Sequence, residues 1–303
     1  MVIELTESFE VLDPRFRTLA FPNVHVEELW TGCRWAEGPA WFAAGRYLVW
    51  SDIPNDRMLR WDGTDGSVSV FRQPAMNTNG HTVDLQGRLV SCEHRGRCVS
   101  RTEHDGSRTV LVSHVEGKRL NSPNDLVYRS DGVLFFTDPP FGLPKFADDP
   151  RREQPHFGVY SVKDGKVQLV SKDFDGPNGL AFSPDEKFLY VGTWNTKQTV
   201  VNRYPVNADA TLGKGELFFD LTTRGAEDAI DGIKVDRAGN VFVSGPGGLW
   251  VFSASGKHLG TLRGPEHPHN MAWGDADRQT LYLTAQTGIY RIRLNNPGAL
   301  AFA

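Results

Sequence analysis

A single unit, polar at its opening and apolar through its strands, recurs six times along the chain and leaves few architectures open. Its openings are Glu37-Gly-Pro-Ala-Trp41, Asn79-Gly-His-Thr-Val83, Asn124-Asp-Leu-Val-Tyr128, Asn178-Gly-Leu-Ala-Phe182, Asp231-Gly-Ile-Lys-Val235 and His269-Asn-Met-Ala-Trp273. Each opening strand runs into a turn such as Asp131-Gly132 or Pro184-Asp185-Glu186, and an alternating apolar strand follows, as in Val133–Thr137 and Phe188–Gly192. Such pairs are hairpins. A third strand is legible in Met58–Trp61, Gly158–Val162, Gly248–Phe252 and Gly288–Ile292, each ahead of a polar turn and a fourth strand. Four-stranded units roughly 40 to 55 residues apart are propeller blades; the spacing is too long for most helical repeats or β-helix coils. The expectation is an all-β fold: one six-bladed β-propeller over residues 1–303, with four-stranded antiparallel blades around a central channel.

Two stretches fall outside the repeat. Val24–Trp30 reads as a strand completing the last blade, so that both ends of the chain close the ring. Pro139–Phe157, rich in proline and mixed charge, reads as a loop extending from the third blade and a candidate lid.

Composition narrows the function classes. Hydrophobic residues at 39% suffice for a core, and charged residues at 23% are too sparse for a disordered chain. The net charge of −4 comes from interspersed signs with no basic run, so no nucleic-acid partner is expected. No stretch reaches ~18 consecutive apolar residues. Near the N-terminus Glu4, Glu7, Glu10 and Asp13 stand where a signal peptide needs basic and then apolar residues. No membrane partner is expected either. The three cysteines, an odd number in a large domain, argue against a disulfide framework and fit the reducing cytoplasm; the periplasm is the alternative for a chain whose leader has been removed. A Cys92–Cys98 bridge is the one pairing left open.

In a propeller the innermost strands converge on the axis, so equivalent positions of the repeats face one another across the channel. The first positions are Glu37, Asn79, Asn124, Asn178, Asp231 and His269. Any one Asn-Gly or Asp-Gly by itself is an ordinary turn former. These residues, however, open a strand after a long connection and do not sit between two hairpin strands. Glu, Asn, Asn and Asp converging at one point suit a hard divalent cation such as Ca²⁺, which takes six or more oxygen ligands. Zn²⁺, Mn²⁺ and Mg²⁺ are alternatives for a site open to water.

Five motifs in order, Glu37-Gly-Pro, Asn121-Ser-Pro-Asn-Asp125, Phe136-Thr-Asp-Pro-Pro-Phe-Gly142, Pro177-Asn-Gly-Leu-Ala-Phe-Ser-Pro184 and Asp231-Gly-Ile, resemble the gluconolactonase branch of the SMP-30/gluconolactonase/LRE-like (regucalcin-like) family over about residues 35–292. The resemblance implies that Glu37, Asn124, Asn178 and Asp231 hold the metal. It further implies hydrolysis of a small-molecule sugar lactone, with the metal polarising the carbonyl and Asp231 as general base. Direct attack by Asp231, or activation of water by the metal alone, stay open. Vertebrate-type members place a sugar-holding Arg where this chain has Ser122. Relatives acting on phosphotriesters and other lactones share the metal cage, so hydrolysis of such esters is an alternative, as is a non-catalytic binding module with a structural metal.

Around the cage, Asn79, His81, Arg119, Asn121 and Asp138 are the expected sugar-binding residues, with Glu93, His94, Trp194 and His269 behind them. No Gly-x-Ser-x-Gly elbow or P-loop is present, which removes serine-hydrolase and nucleotide readings. The oligomeric state is not legible.

Overall fold

The computed structural model describes residues 2–3, 9–20, 24–195, 197–222 and 229–300; Glu4 and Glu7 lie outside the described residues. Six antiparallel sheets form the blades of a propeller, each entered from its innermost strand. Blade one runs Ala36–Phe42, Tyr47–Asp52, Arg57–Asp62 and Val68–Arg72, and blade two Thr78–Val83, Leu89–Glu93, Cys98–Thr102 and Arg108–Val112. Blade three is Leu126–Tyr128, Leu134–Asp138, Phe157–Lys163 and Lys166–Phe174, and blade four Pro177–Phe182, Phe188–Thr193, Val200–Pro205 and Glu216–Asp220. Blade five begins Ile233–Val235, Val241–Gly245, Gly248–Phe252, His258–Leu262, and blade six Pro268–Gly274, Thr280–Ala285, Gly288–Arg293.

The N-terminal segment closes the ring as the sequence implies. Val26–Thr31 pairs antiparallel with Gly288–Arg293 to complete blade six, and Val2–Ile3 adds a further strand outside it. One pairing has no counterpart in the repeat: Phe9–Val11 joins the outer edge of blade five, against His258–Leu262. Among the described residues helical structure is confined to short 3-10 turns such as Pro14–Thr18, and no helix is long and apolar enough to cross a membrane.

Alternation along the strands buries one row of side chains between each pair of blades. Aromatic rings make these joints. Phe135 and Phe182 meet edge to face at 5.1 Å between blades three and four, and Phe242 and Trp273 at 5.3 Å between blades five and six. Trp41 stacks on Tyr282 at 5.0 Å where blade one meets blade six. Cys33, Cys92 and Cys98 are all free and buried, so the Cys92–Cys98 bridge left open by the sequence is not made. Cys98 Sγ instead lies against Glu93 and Arg108.

Candidate active site

A bulge at the opening of the innermost strands turns the first residue of each repeat toward the channel. In blades one, two, four and six the ladder changes register inside the opening, between Glu37 and Ala40, Thr78 and His81, Pro177 and Leu180, and Pro268 and Asn270. Blades three and five show the same irregularity as hydrogen bonds. Asn124 N–H donates to Thr137 O at 2.9 Å while Thr137 N–H donates to Asp125 O at 3.0 Å; Asp231 N–H donates to Ser244 O at 3.0 Å while Ser244 N–H donates to Gly232 O at 2.9 Å. Two residues facing one partner bend the strand and re-aim its side chains. Glu37, Asn79, Asn124, Asn178, Asp231 and His269 are all buried as a result.

Neighbouring openings are laced by backbone hydrogen bonds: Gly80 N–H to Asn124 O at 2.8 Å, Gly179 N–H to Asp231 O at 2.9 Å and Gly232 N–H to His269 O at 2.8 Å. That approach needs glycine at the second position. A Cβ on Gly80 would stand 2.6 Å from Asn124 O, and one on Gly38, with φ at +57°, would collide with the Asn79 backbone. The other two second positions are Asp125 and Asn270, whose side chains occupy the room the glycines leave. Asn270 Nδ2 donates to Glu37 Oε2 and to Asp125 Oδ2, each at 3.3 Å. The alternation Gly, Gly, Asp, Gly, Gly, Asn across the aligned openings is the sequence signal that would have singled out Asp125 and Asn270.

The carboxyl groups of Glu37 and Asp231 are close enough for each to shift the pKa of the other. Burial raises the pKa of both; the nearby Asp125 raises Glu37 further and Glu37 raises Asp231 further, while the Asn178 side chain acts to lower Asp231. Glu37 Oε1 and Asn178 Oδ1 are buried with no partner. Neighbouring buried carboxylates with an orphaned carboxylate oxygen and an orphaned amide oxygen are donors that fit a hard divalent cation. Among the described residues no group of three or more His, Cys, Asp or Glu gathers to hold a metal, so the fit depends on amide oxygens as well as the two acids.

Glu37, Asn79, Asn124, Asn178 and Asp231 are buried at strand openings that the backbone bonds hold side by side. Asn79 Nδ2 lies 3.4 Å from His94 Nε2, and burial lowers the pKa of His94 to about 4. His269 Nδ1–H donates to Ala36 O at 3.0 Å, and the ring stacks on Trp35 at 4.1 Å. The other expected sugar-binding residues are engaged elsewhere. His81 is held between the Ser51 and Ser91 hydroxyls at 2.8 and 2.7 Å. Arg119 Nη2 donates to Gly96 O at 3.1 Å, from a small hairpin between blades two and three. Asn121 and Asp138 are fully buried at the base of the 139–157 loop: Asn121 N–H donates to Asp138 Oδ2 at 2.8 Å, and Asn121 Nδ2 donates to Asp138 O and His156 O, each at 3.1 Å. One amide thus ties both stems of the loop.

Ser122, at the position where a vertebrate-type member carries an Arg, holds the loop's first turn: its hydroxyl donates to Pro139 O at 2.7 Å and accepts from Gly142 N–H at 2.9 Å. Phe141 on that turn lies against Trp194 at 6.2 Å. Further along, Arg97 donates to Arg151 O at 3.0 Å, and Gln154 donates to Lys118 O at 2.9 Å. The insertion is tied down along its length.

The sequence profile of the SMP-30/Gluconolactonase/LRE-like region matches residues 35–287, a span that contains all six strand openings. The chain belongs to this family. Relatives of this SMP-30/gluconolactonase member include the gluconolactonase of Zymomonas mobilis, 30% identical over 94% of this chain and 85% of that one. The pentonolactonase XacC of Haloferax volcanii is 27% identical over 85% of this chain and 84% of its own. Among solved structures, a gluconolactonase from Xanthomonas campestris superimposes with a TM-score of 0.87 at 35% identity, covering 97% of both chains.

Proposed function

We propose that this protein hydrolyses a sugar lactone to the aldonic acid, using one divalent cation, Ca²⁺ by the chemistry of the donors, held by Glu37, Asn124, Asn178 and Asp231. The observation that carries the reading is the pair of neighbouring buried carboxylates, Glu37 and Asp231, with the orphaned oxygens of Glu37 and Asn178. The activities named for the Zymomonas and Haloferax relatives support a lactone as the substrate.

When bound, the cation supplies electrostatic stabilisation for the negative charge that develops on the lactone carbonyl oxygen. The chain supplies the rest. Water attacks the carbonyl carbon, Asp231 takes its proton, the ring carbon–oxygen bond breaks, and Asp231 returns that proton to the departing alkoxide to give the open-chain hydroxy acid. Asn270 holds Glu37 from below through its amide, so Glu37 serves as a ligand while Asp231 handles the proton. Asn79 and His94, paired at the ring, are placed to hydrogen-bond sugar hydroxyls.

The test is hydrolysis of glucono-lactone, followed as acid release above the spontaneous background, on protein stripped with chelator and resupplied with Ca²⁺, Zn²⁺, Mn²⁺ or Mg²⁺. Activity is expected to vanish on stripping and return with the ion. Tight cation binding without lactone turnover would discard the lactone reading.

A further inference from the structure

Below the ring of first-position residues the channel holds a second polar layer with a charge in it. Lys234 is on the innermost strand of blade five, three residues past Asp231, with its side chain 21% exposed. Its Nζ donates to Ile233 O at 3.0 Å and to Asn270 Oδ1 at 3.3 Å, and lies 3.7 Å from Asp125 Oδ2. Asn270 Oδ1 also accepts from Met271 N–H at 2.8 Å. With both of its acceptor directions used, the amide must present its NH₂ upward, where it reaches Glu37 and Asp125. On its other side Lys234 lines a cavity of about 530 Å³ at the opposite mouth of the channel, walled by Trp41, Tyr128, Phe182 and Trp273.

The channel therefore stacks three acids, Glu37, Asp231 and Asp125, over one ammonium. Buried charges must be compensated, and each uncompensated one costs several kcal/mol. With Lys234 set against Asp125, the charge left over is that of Glu37 and Asp231, which one divalent ion balances.

We infer that Lys234 is a positioning residue for the candidate cation site: it acts as a built-in counter-charge to Asp125 and locks the Asn270 amide toward Glu37, leaving the channel balanced for a single divalent ion. This rests on the cation reading of Glu37 and Asp231 given above. A role in packing alone and a role in charge balance make different predictions, because removing either member of a packed pair damages the site, whereas removing opposite charges moves cation affinity in opposite directions.

The experiment is competition for Ca²⁺ between EGTA and the full-length protein, wild type against Lys234→Met, Asp125→Asn, the double variant and Lys234→Arg. Lys234→Met is expected to bind Ca²⁺ more tightly and Asp125→Asn more weakly, each by about tenfold or more, as for a unit charge a few ångströms from a divalent ion at moderate dielectric. The double variant is expected to return to within about threefold of wild type, and Lys234→Arg, which keeps the charge, to stay there. Weaker binding in both single variants, or no shift in either, overturns the assignment even if wild type binds Ca²⁺ well. Should Lys234→Met not fold, a tenfold change in Lys234→Arg overturns it, and unchanged affinity with Asp125→Asn weakened supports it. Absence of Ca²⁺ binding by the wild type overturns the cation reading itself, and this inference with it.

Discussion

Glu37 and Asp231, brought from the first and fifth repeats, set two buried carboxyl groups beside one another, each shifting the pKa of the other. The two are far apart in sequence, and only ring closure puts them together. Asp231→Asn keeps the side-chain volume and can donate to Glu37, so the contact survives while the ligand charge and the proton acceptor are lost. Lactonase activity is expected to fall by about 10²-fold or more, with thermal stability of the chelated protein unchanged or slightly higher because two acids no longer face each other. Steady-state kinetics and a melting curve on the same sample check both halves. Retained activity would remove Asp231 from the proposed chemistry.

Asn121 makes a different kind of prediction, since its amide bonds to the two stems of the 139–157 loop and to nothing across the channel among the described residues. Asn121→Ala leaves the Asp138 and His156 carbonyls without their shared donor. A loss of about 1–3 kcal/mol is expected in urea unfolding, together with faster protease cleavage within 139–157. A rise in KM with unchanged stability and unchanged cleavage would return Asn121 to the sugar-binding role expected from its place near the channel.

The contrast between these residues shows what a sequence of this kind discloses. The six blades are legible because the repeat forces a polar opening, a turn and apolar strands to recur at one spacing, and Glu37, Asn124, Asn178 and Asp231 are legible because they hold the same place in it. Position in the repeat says which end of a strand a side chain occupies, but not which neighbour will claim it. His81 stands two residues after Asn79, yet the register shift within that opening gives its ring to Ser51 and Ser91. The loop between Asp138 and Phe157 gives no hint in its own residues that Ser122 and Asn121 will be used to fasten it. Phe9–Val11 is too short for any alternation to announce a strand, and its partner edge in blade five exists only once the propeller is formed. Lys234 reads as a polar interruption of an apolar strand; its use appears only when Asp125 and Asn270 are seen to fill the space left by four glycines.

Those glycines can be tested directly. A methyl group on Gly80 would stand 2.6 Å from Asn124 O and 2.8 Å from Asp125 Oδ1, and the Gly80 N–H to Asn124 O bond at 2.8 Å ties that backbone in place. Gly80→Ala is expected to cost about 1–3 kcal/mol through displaced backbone, and to weaken cation binding because Asn124 moves with it. Gly87→Ala is the control: it has φ at +75° with nothing within 4 Å of the added carbon, so only the left-handed backbone is penalised, by about 1 kcal/mol, with no effect on the site. Denaturant unfolding and Ca²⁺ titration of both variants separate the two costs. Equal effects on the cation would show that the close approach at Gly80 does not shape the ring.

Asp138 contributes a pH dependence that one substitution isolates. Burial pushes its pKa from 3.8 to about 7, against the lowering effect of the Asn121 and Ser122 N–H groups, and its Oδ1 has no partner. The folded protein therefore holds this proton more tightly than the unfolded chain does. The contribution of Asp138 to stability is greatest below the ordinary carboxylate pKa and is lost as pH rises from about 4 through about 7, where folding has to ionise a buried acid or keep it protonated against solvent. The total at stake is on the order of a few kcal/mol. Asp138→Asn removes the ionisation while its carbonyl still accepts from Asn121 N–H. Unfolding curves of wild type and variant across this range are expected to converge at acid pH, with the variant gaining steadily on the wild type toward neutrality. A difference that does not change with pH would mean that Asp138 is ionised throughout, with its charge met by a group such as Arg97, whose Nη2 is likewise buried without a partner.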